Sequence, residues 1–243
     1  MKNTAFFRTC MSVCFILNEV ISCGQLPGFS PLQHSNWTES SWAFEHWSAV
    51  DALSTSFASP LGRQMHLRAD AIWVNSYRNV RGLWGHSIPW GDEHVLGVFG
   101  GASRIEYPGD GVAAWHVLWR MEGRVVAESN TVLPFLEWSS PLRSSDNQSG
   151  SNLRFGGLFT RQLERGEVQF FWQWMEPSWT FDVKVFLQVH EAIHVGFSGQ
   201  WQPRIWGLNF RLFITDFAAH VGLAPVSLGG WRTRLACSKA GVH

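Results

Sequence analysis

The sequence predicts an all-β chain, an antiparallel up-and-down meander that closes into a barrel of about eight to ten strands. Three observations carry this expectation. Apolar and polar residues alternate with a period of two, most clearly over residues 179–215, and that is the spacing at which successive side chains fall on opposite faces of a strand. The alternating stretches are separated by very short connections, which join neighbouring antiparallel strands. Charged residues are only 16% of the 243-residue chain, against about 25% in ordinary soluble domains. Lysine occurs only at Lys2, Lys184 and Lys239, so the polar strand faces are not the Lys- and Glu-coated faces of a soluble β-domain.

The elements follow in order. Residues 1–24 fit an export signal. Lys2 and Arg8 supply positive charge, residues 11–17 are a short apolar stretch, and Ser22 and Gly24 have a spacing that a signal peptidase accepts. The same region offers an alternative, because Val20-Ile21-Ser22-Cys23 resembles a bacterial lipobox with Cys23 as the lipid-bearing residue. Cys10, Cys14 and Cys23 all lie in this signal and leave Cys237, which excludes a disulfide framework or a cysteine zinc cluster in the mature chain. Residues 25–63 are expected to be irregular at first, with residues 42–53 fitting either a strand or a helix.

The barrel is expected over residues 64–226. Residues 65–75 alternate, 78–93 read as a loop rich in Gly, Pro and Trp, and 94–107 read as a strand with a glycine pair at Gly100 and Gly101. Pro108-Gly109-Asp110-Gly111 is a turn by its chemistry. Alternation over 113–121 ends at an expected turn, Glu122-Gly123, followed by a strand over 124–138. Pro134 argues that this strand ends early, bulges or lies at an edge. The longest connection is 139–152, polar throughout. Strands over 154–163 and 168–175 join near Arg165-Gly166, then come 179–190, 193–201 and 206–215, and a last strand over 218–226. Residues 227–243 are expected to form a C-terminal tail.

Alternation does not say which face is buried. In a soluble barrel the apolar face points inward, and in a membrane barrel it meets lipid while a polar face lines the interior. Strands of about ten residues suit a tilted bilayer crossing. Small residues (Gly156, Gly196, Ser198, Gly207) share the polar face with Arg154, Arg211 and Asp182, a mixture that a narrow interior with paired charges requires. Trp138, Trp174, Trp179, Trp201 and Trp206 fall near strand ends, as in an interfacial aromatic belt. Over residues 64–226 this pattern resembles small bacterial outer-membrane β-barrels as a class. The resemblance implies the bacterial outer membrane as location and the lipid bilayer as partner. It departs from the class at its end, Cys237-Ser-Lys-Ala-Gly-Val-His243, where such barrels carry a terminal aromatic residue.

An interior of eight to ten strands is filled by side chains. The expected role is therefore structural, adhesive or small-ligand-binding, without a wide pore. A small-molecule or surface partner would meet the loops at 78–93 and 139–152. The formal net charge is +0, which gives nucleic-acid binding no support. A second reading is a soluble or lipid-anchored periplasmic or secreted ligand-binding barrel.

A third reading is an enzyme. His190-Glu191-Ala192-Ile193-His194 is a literal HExxH and resembles the zinc-metallopeptidase signature. On a helix its two histidines share one face and bind zinc, and the glutamate acts as general base on the zinc-bound water. Strand periodicity on both sides opposes the helix. A third ligand is also needed, and downstream only Asp216 and His220 are available. The favoured expectation has no catalytic residue, cofactor or metal; the alternative assigns Glu191 as catalytic and His190 and His194 as zinc ligands.

Overall fold

The computed structural model describes residues 40–239, apart from 49–50, 62–63, 75–76, 92, 108–111, 143–150, 176–177, 202–204, 215–216 and 226–229. The expected signal at 1–24, with Cys23, lies outside the described residues, and so does Asp216.

Fourteen strands form one sheet. The first seven are β1 (Ser40–Trp47), β2 (Ala52–Pro60), β3 (Met65–Val74), β4 (Tyr77–Trp90), β5 (His94–Tyr107), β6 (Val112–Ala127) and β7 (Asn130–Pro141). The second seven are β8 (Asn152–Leu163), β9 (Gly166–Met175), β10 (Ser178–His190), β11 (Ile193–Gln200), β12 (Ile205–Ile214), β13 (Phe217–Pro225) and β14 (Trp231–Lys239). Each strand pairs antiparallel with the next, and β14 returns to β1 with Phe44 opposite Leu235, so the barrel is closed. The all-β meander and its closure are as the sequence predicts.

The strand count is a correction, fourteen in place of eight to ten. β1 and β2 lie in the segment expected to be irregular, and β14 lies in the expected tail. The barrel therefore runs over Ser40–Lys239 rather than 64–226. The inward faces of β1, β2 and β14 use Ser41, Ala43, Ser54, Ser56, Ala58 and Ala236, residues too small to announce a period of two. β4 occupies the expected 78–93 loop, where Gly82 and Gly85 mask an alternation of Val80, Trp84 and Ile88 against Arg81, Leu83 and Ser87.

Glu122-Gly123 is not a turn. β6 runs through it, and the reversal comes at Glu128 and Ser129, where Glu128 has φ 52°. Pro134 neither ends β7 nor shifts its register. Pairing lapses between Glu122–Phe135 and Val125–Val132 and resumes in the same register. A Cβ on Gly123 would lie 3.1 Å from Pro134 Cγ, so the glycine makes room for the ring that interrupts the ladder.

The barrel is inside-out relative to a soluble one. Inward positions hold buried charges, including Glu45, Arg68, Asp70, Arg81, Arg120, Glu122, Glu137, Lys184 and Arg234. Outward positions hold exposed large hydrophobics on every strand but β9, such as Phe57, Trp84, Trp119, Leu136, Phe197, Phe210 and Leu235. A soluble monomer does not leave a belt of this extent to water; the same belt is what a lipid-facing barrel presents. This orientation removes the ground for the soluble-barrel reading, which needs the apolar face inside.

The strand ends on either side of 48–51, 75–76, 108–111, 142–151, 176–177, 201–204 and 226–230 lie at one rim, the upper rim. The lower rim carries 61–64, 91–93, 128–129, 164–165, 191–192 and 215–216, together with the two ends of the sheet. Outward tryptophans collect beside the upper rim: Trp73, Trp115, Trp138, Trp174, Trp179, Trp206 and Trp231. Indole rings with an apolar body and a polar N–H settle at a membrane–water boundary.

Candidate functional site

The lumen wall carries the chemistry of this chain, and strand register explains how. Inward positions recur every second residue, so charges two apart on one strand stack along the lumen, and charges on neighbouring strands meet across the ladder.

One cluster covers β3 to β8. Arg68 Nε donates to Asp70 Oδ2 at 3.1 Å, and Arg81 Nη2 donates to the same oxygen at 2.9 Å. Arg81 Nη1 also reaches Glu137 Oε1 at 3.3 Å, while Arg120 Nη1 donates to Glu137 Oε2 at 3.0 Å. Arg120 Nε donates to Glu122, and Arg154 Nη1 lies 3.7 Å from Glu137 Oε1. Arg120 rests on the Phe135 ring, 4.5 Å from its centroid. Each of these buried carboxylates accepts from at least one guanidinium, and such charge-assisted hydrogen bonds offset the cost of burial.

The facing wall, β9 to β14 with β1, carries a second cluster. Arg211 donates to Glu167, which also accepts from Gln169 Nε2 at 3.0 Å. Lys184 Nζ lies 3.6 Å from Asp182, and Arg232 Nε 3.7 Å from Glu45. Trp47 Nε1 donates to Glu45, and Arg211 lies over the Phe186 ring at 3.6 Å. Together the clusters hold eight cations (Arg68, Arg81, Arg120, Arg154, Lys184, Arg211, Arg232, Arg234) and six carboxylates (Glu45, Asp70, Glu122, Glu137, Glu167, Asp182), a difference of +2. Between the charges the lumen carries apolar patches. One is Trp47, Ala52, Ile72, Ile205 and Ala224, near the upper rim.

The HExxH residues are brought together in a different arrangement from the one the motif requires. His190 ends β10, Glu191 and Ala192 form the turn, and Ile193 and His194 begin β11, with a register shift between Gln188 and His190. His190 and Glu191 are exposed at the lower rim, and the Ala192 N–H donates to His190 Nδ1 at 3.2 Å. His194 faces the lumen with its ring edge-on to Phe213, centroids 4.9 Å apart. His220 stands two strands away in the same row, with Arg211 between them, and its Nε2 is 3.1 Å from Asn209 Oδ1. No helical face joins His190 to His194, and Arg211 on β12 separates His194 from His220 in the ladder. The zinc alternative therefore lacks the geometry that motivated it.

Of the polar-face residues named from the sequence, Arg154, Asp182, Arg211, Gly156, Gly196, Ser198 and Gly207 all face the lumen. Sequence reasoning missed Arg81, Glu137, Arg120 and Glu122 as a network. Their signal was present as charges two residues apart in alternating stretches, Arg68/Asp70 and Arg120/Glu122.

No protein-family profile matches this sequence, and no curated relative matches it either. Solved structures share its fold. The Ralstonia pickettii toluene transporter TbuX aligns with TM-score 0.58 at 9% identity, over 90% of this chain and 100% of its own. The Acinetobacter baumannii outer membrane protein Omp33 aligns with TM-score 0.52 at 11% identity, over 83% and 96%. The TodX monoaromatic hydrocarbon channel aligns with TM-score 0.52 at 8% identity, over 84% and 89%. With its apolar exterior, charged lumen and closed antiparallel meander, this chain has the fold of the bacterial outer-membrane β-barrels.

Proposed function

We propose that this chain is an outer-membrane barrel whose lumen is a narrow, charge-lined pathway for small polar solutes, with a preference for anions. The observation that carries the reading is the pair of ionic clusters facing each other across the lumen. Their two surplus cations favour negative solutes, and fixed charges at close quarters set selectivity in pores. Fourteen strands enclose more space than the eight to ten expected from sequence, between the side-chain-filled small barrels and the open 16-strand porins. The deep burial of Glu45, Glu122, Glu137 and Gln173 (each 2% exposed or less) supports a constricted pathway rather than a wide one. Two fold relatives are named as a transporter and a channel, and that supports conduction over a purely structural or adhesive role.

Short periplasmic turns and longer external loops are the rule in such barrels. On that rule the upper rim, with the 142–151 connection, faces the exterior. The lower rim, with Glu191 and both ends of the sheet, faces the periplasm.

The test is single-channel recording in planar bilayers with the folded full-length chain. Small, discrete conductance steps are expected, with a reversal potential in a salt gradient that reports anion preference. A membrane-inserted barrel with no current above the bare bilayer would return the protein to a structural role.

A further inference from the structure

The outward faces of the described strands carry very few charges: Arg78, Arg104, Glu106, Arg161 and Lys239. Arg161 and Lys239 stand apart, near the lower rim. The other three converge on adjacent strands beside the upper rim, in a hollow of about 480 Å³ on the lipid-facing side of β3 to β6. Arg78 pairs across the ladder with Glu106, and Arg104 with Trp115. Arg104 Nη2 lies 2.6 Å from Glu106 Oε1 and its guanidinium is 5.7 Å from the Trp115 ring centroid. Trp73 and Trp115 flank the charges, and Val80, Gly82 and Ala102 form the floor toward mid-height.

A charge on a lipid face is costly at mid-depth and tolerable at the interface. Here the charges sit at the interface and the small floor residues continue inward. A Cβ on Gly82 would meet no atom within 4 Å, so the floor is open space. The hollow holds two guanidinium groups against one carboxylate, a surplus of +1. Arg78 adds planar donors suited to phosphate oxygens, and the two indoles mark the depth of a lipid headgroup.

We propose that this hollow binds one phosphate-bearing membrane lipid, its phosphate on Arg78 and Arg104 and an acyl chain along Gly82 and Ala102. The inference rests on the membrane-barrel reading, because the hollow faces lipid only in that setting. Glu106 holds Arg104 in place and repels the phosphate, so removing its charge strengthens binding.

Native mass spectrometry of the folded full-length chain in detergent tests this, with phosphatidic acid as probe and diacylglycerol and inorganic phosphate as comparisons. The wild type is expected to retain one phosphatidic acid. Arg78→Gln with Arg104→Gln should weaken retention by about tenfold or more, the scale of lost charged hydrogen bonds. Gly82→Leu, whose Cβ meets no atom within 4 Å and whose side chain extends over the floor, should weaken it with both arginines intact, and Glu106→Gln should strengthen it. Equal retention of diacylglycerol would overturn the phosphate contact. Equal binding of inorganic phosphate, unaffected by Gly82→Leu, would reduce the hollow to a free-anion site. A gel shift on boiling is read on each sample. A wild type that lacks the shift refutes the membrane barrel itself, whereas a shifted barrel that retains no lipid refutes only the lipid site.

Discussion

Arg81 on β4 reaches past β5 and β6 to Glu137 on β7, with Nη1 3.3 Å from Oε1. Three strand spacings separate their backbones, about 14 Å along the wall. Glu137 also takes Arg120 at 3.0 Å and Arg154 at 3.7 Å, and it is 2% exposed. One carboxylate thus ties four strands together from inside the lumen. Glu137→Gln keeps the shape and removes the charge, leaving three guanidinium groups around a neutral amide. Breaking a buried ionic network from one side costs about 3–5 kcal/mol. The midpoint of the boiling-dependent gel shift should therefore fall well below that of the wild type. A midpoint unchanged from wild type would mean that water, not Glu137, compensates these arginines.

Gly123 and Pro134 form a matched pair on the outer face. Gly123→Val places branched carbon where the nearest proline atom is only 3.1 Å from a Cβ, and overpacking of this kind costs about 1–3 kcal/mol. Pro134→Ala in the same chain removes the obstructing ring and should recover most of the loss. A double-mutant cycle on the gel-shift midpoint reads the coupling directly. Additive effects of the two changes would show that the glycine answers to something other than the ring.

The charge surplus of the two lumen clusters makes a quantitative statement about selectivity. Lys184, beside Asp182 on the inner wall of β10, is one of the eight cations of those clusters. Lys184→Gln lowers the surplus from +2 to +1, and Lys184→Glu lowers it to 0. Reversal potentials across a salt gradient should move stepwise toward cations in that order, with the steps shrinking at high salt as screening shortens the reach of fixed charge. Identical potentials in all three proteins would mean that ions do not pass this wall.

The sequence made the architecture of β8 to β13 legible because their two faces differ sharply: Phe181, Val183 and Val185 against Asp182 and Lys184. It concealed β1, β2 and β14, where Ser41, Ala43, Ser54, Ser56, Ala58 and Ala236 fill many of the inward positions, since small residues carry little hydropathy contrast. It concealed β4, where Gly82 leaves the outer face empty and Pro89 resembles a turn residue. Tertiary closure supplies what local pattern does not: β14 is held by β13 and β1 on its two edges. Inward charges such as Arg154 and Arg120 were legible as polar-face residues, although Glu122 was expected in a turn. Their partnership with Glu137 and Arg81 was not, because it depends on the register of strands far apart in sequence. The HExxH shows the opposite failure. A motif with a definite spacing carries its chemistry only on a helix, and β10 and β11 place the same five residues across a hairpin.

That hairpin gives the last prediction. Glu191 is exposed in the turn at the lower rim, and His190 accepts a single local hydrogen bond, from the Ala192 N–H. Exposed substitutions away from caps, cores and networks shift stability by less than about 0.5 kcal/mol. Glu191→Gln and His190→Ala should therefore leave the gel-shift midpoint and the single-channel conductance at wild-type values. A metal chelator should leave both unchanged as well. His194→Ala tests the other half of the motif: its ring packs edge-on against Phe213 inside the lumen, so a lower midpoint is expected from lost packing alone, in the presence or absence of chelator. A midpoint that drops on chelation in the wild type, and no longer does so in His190→Ala, would mean that the turn holds a metal after all.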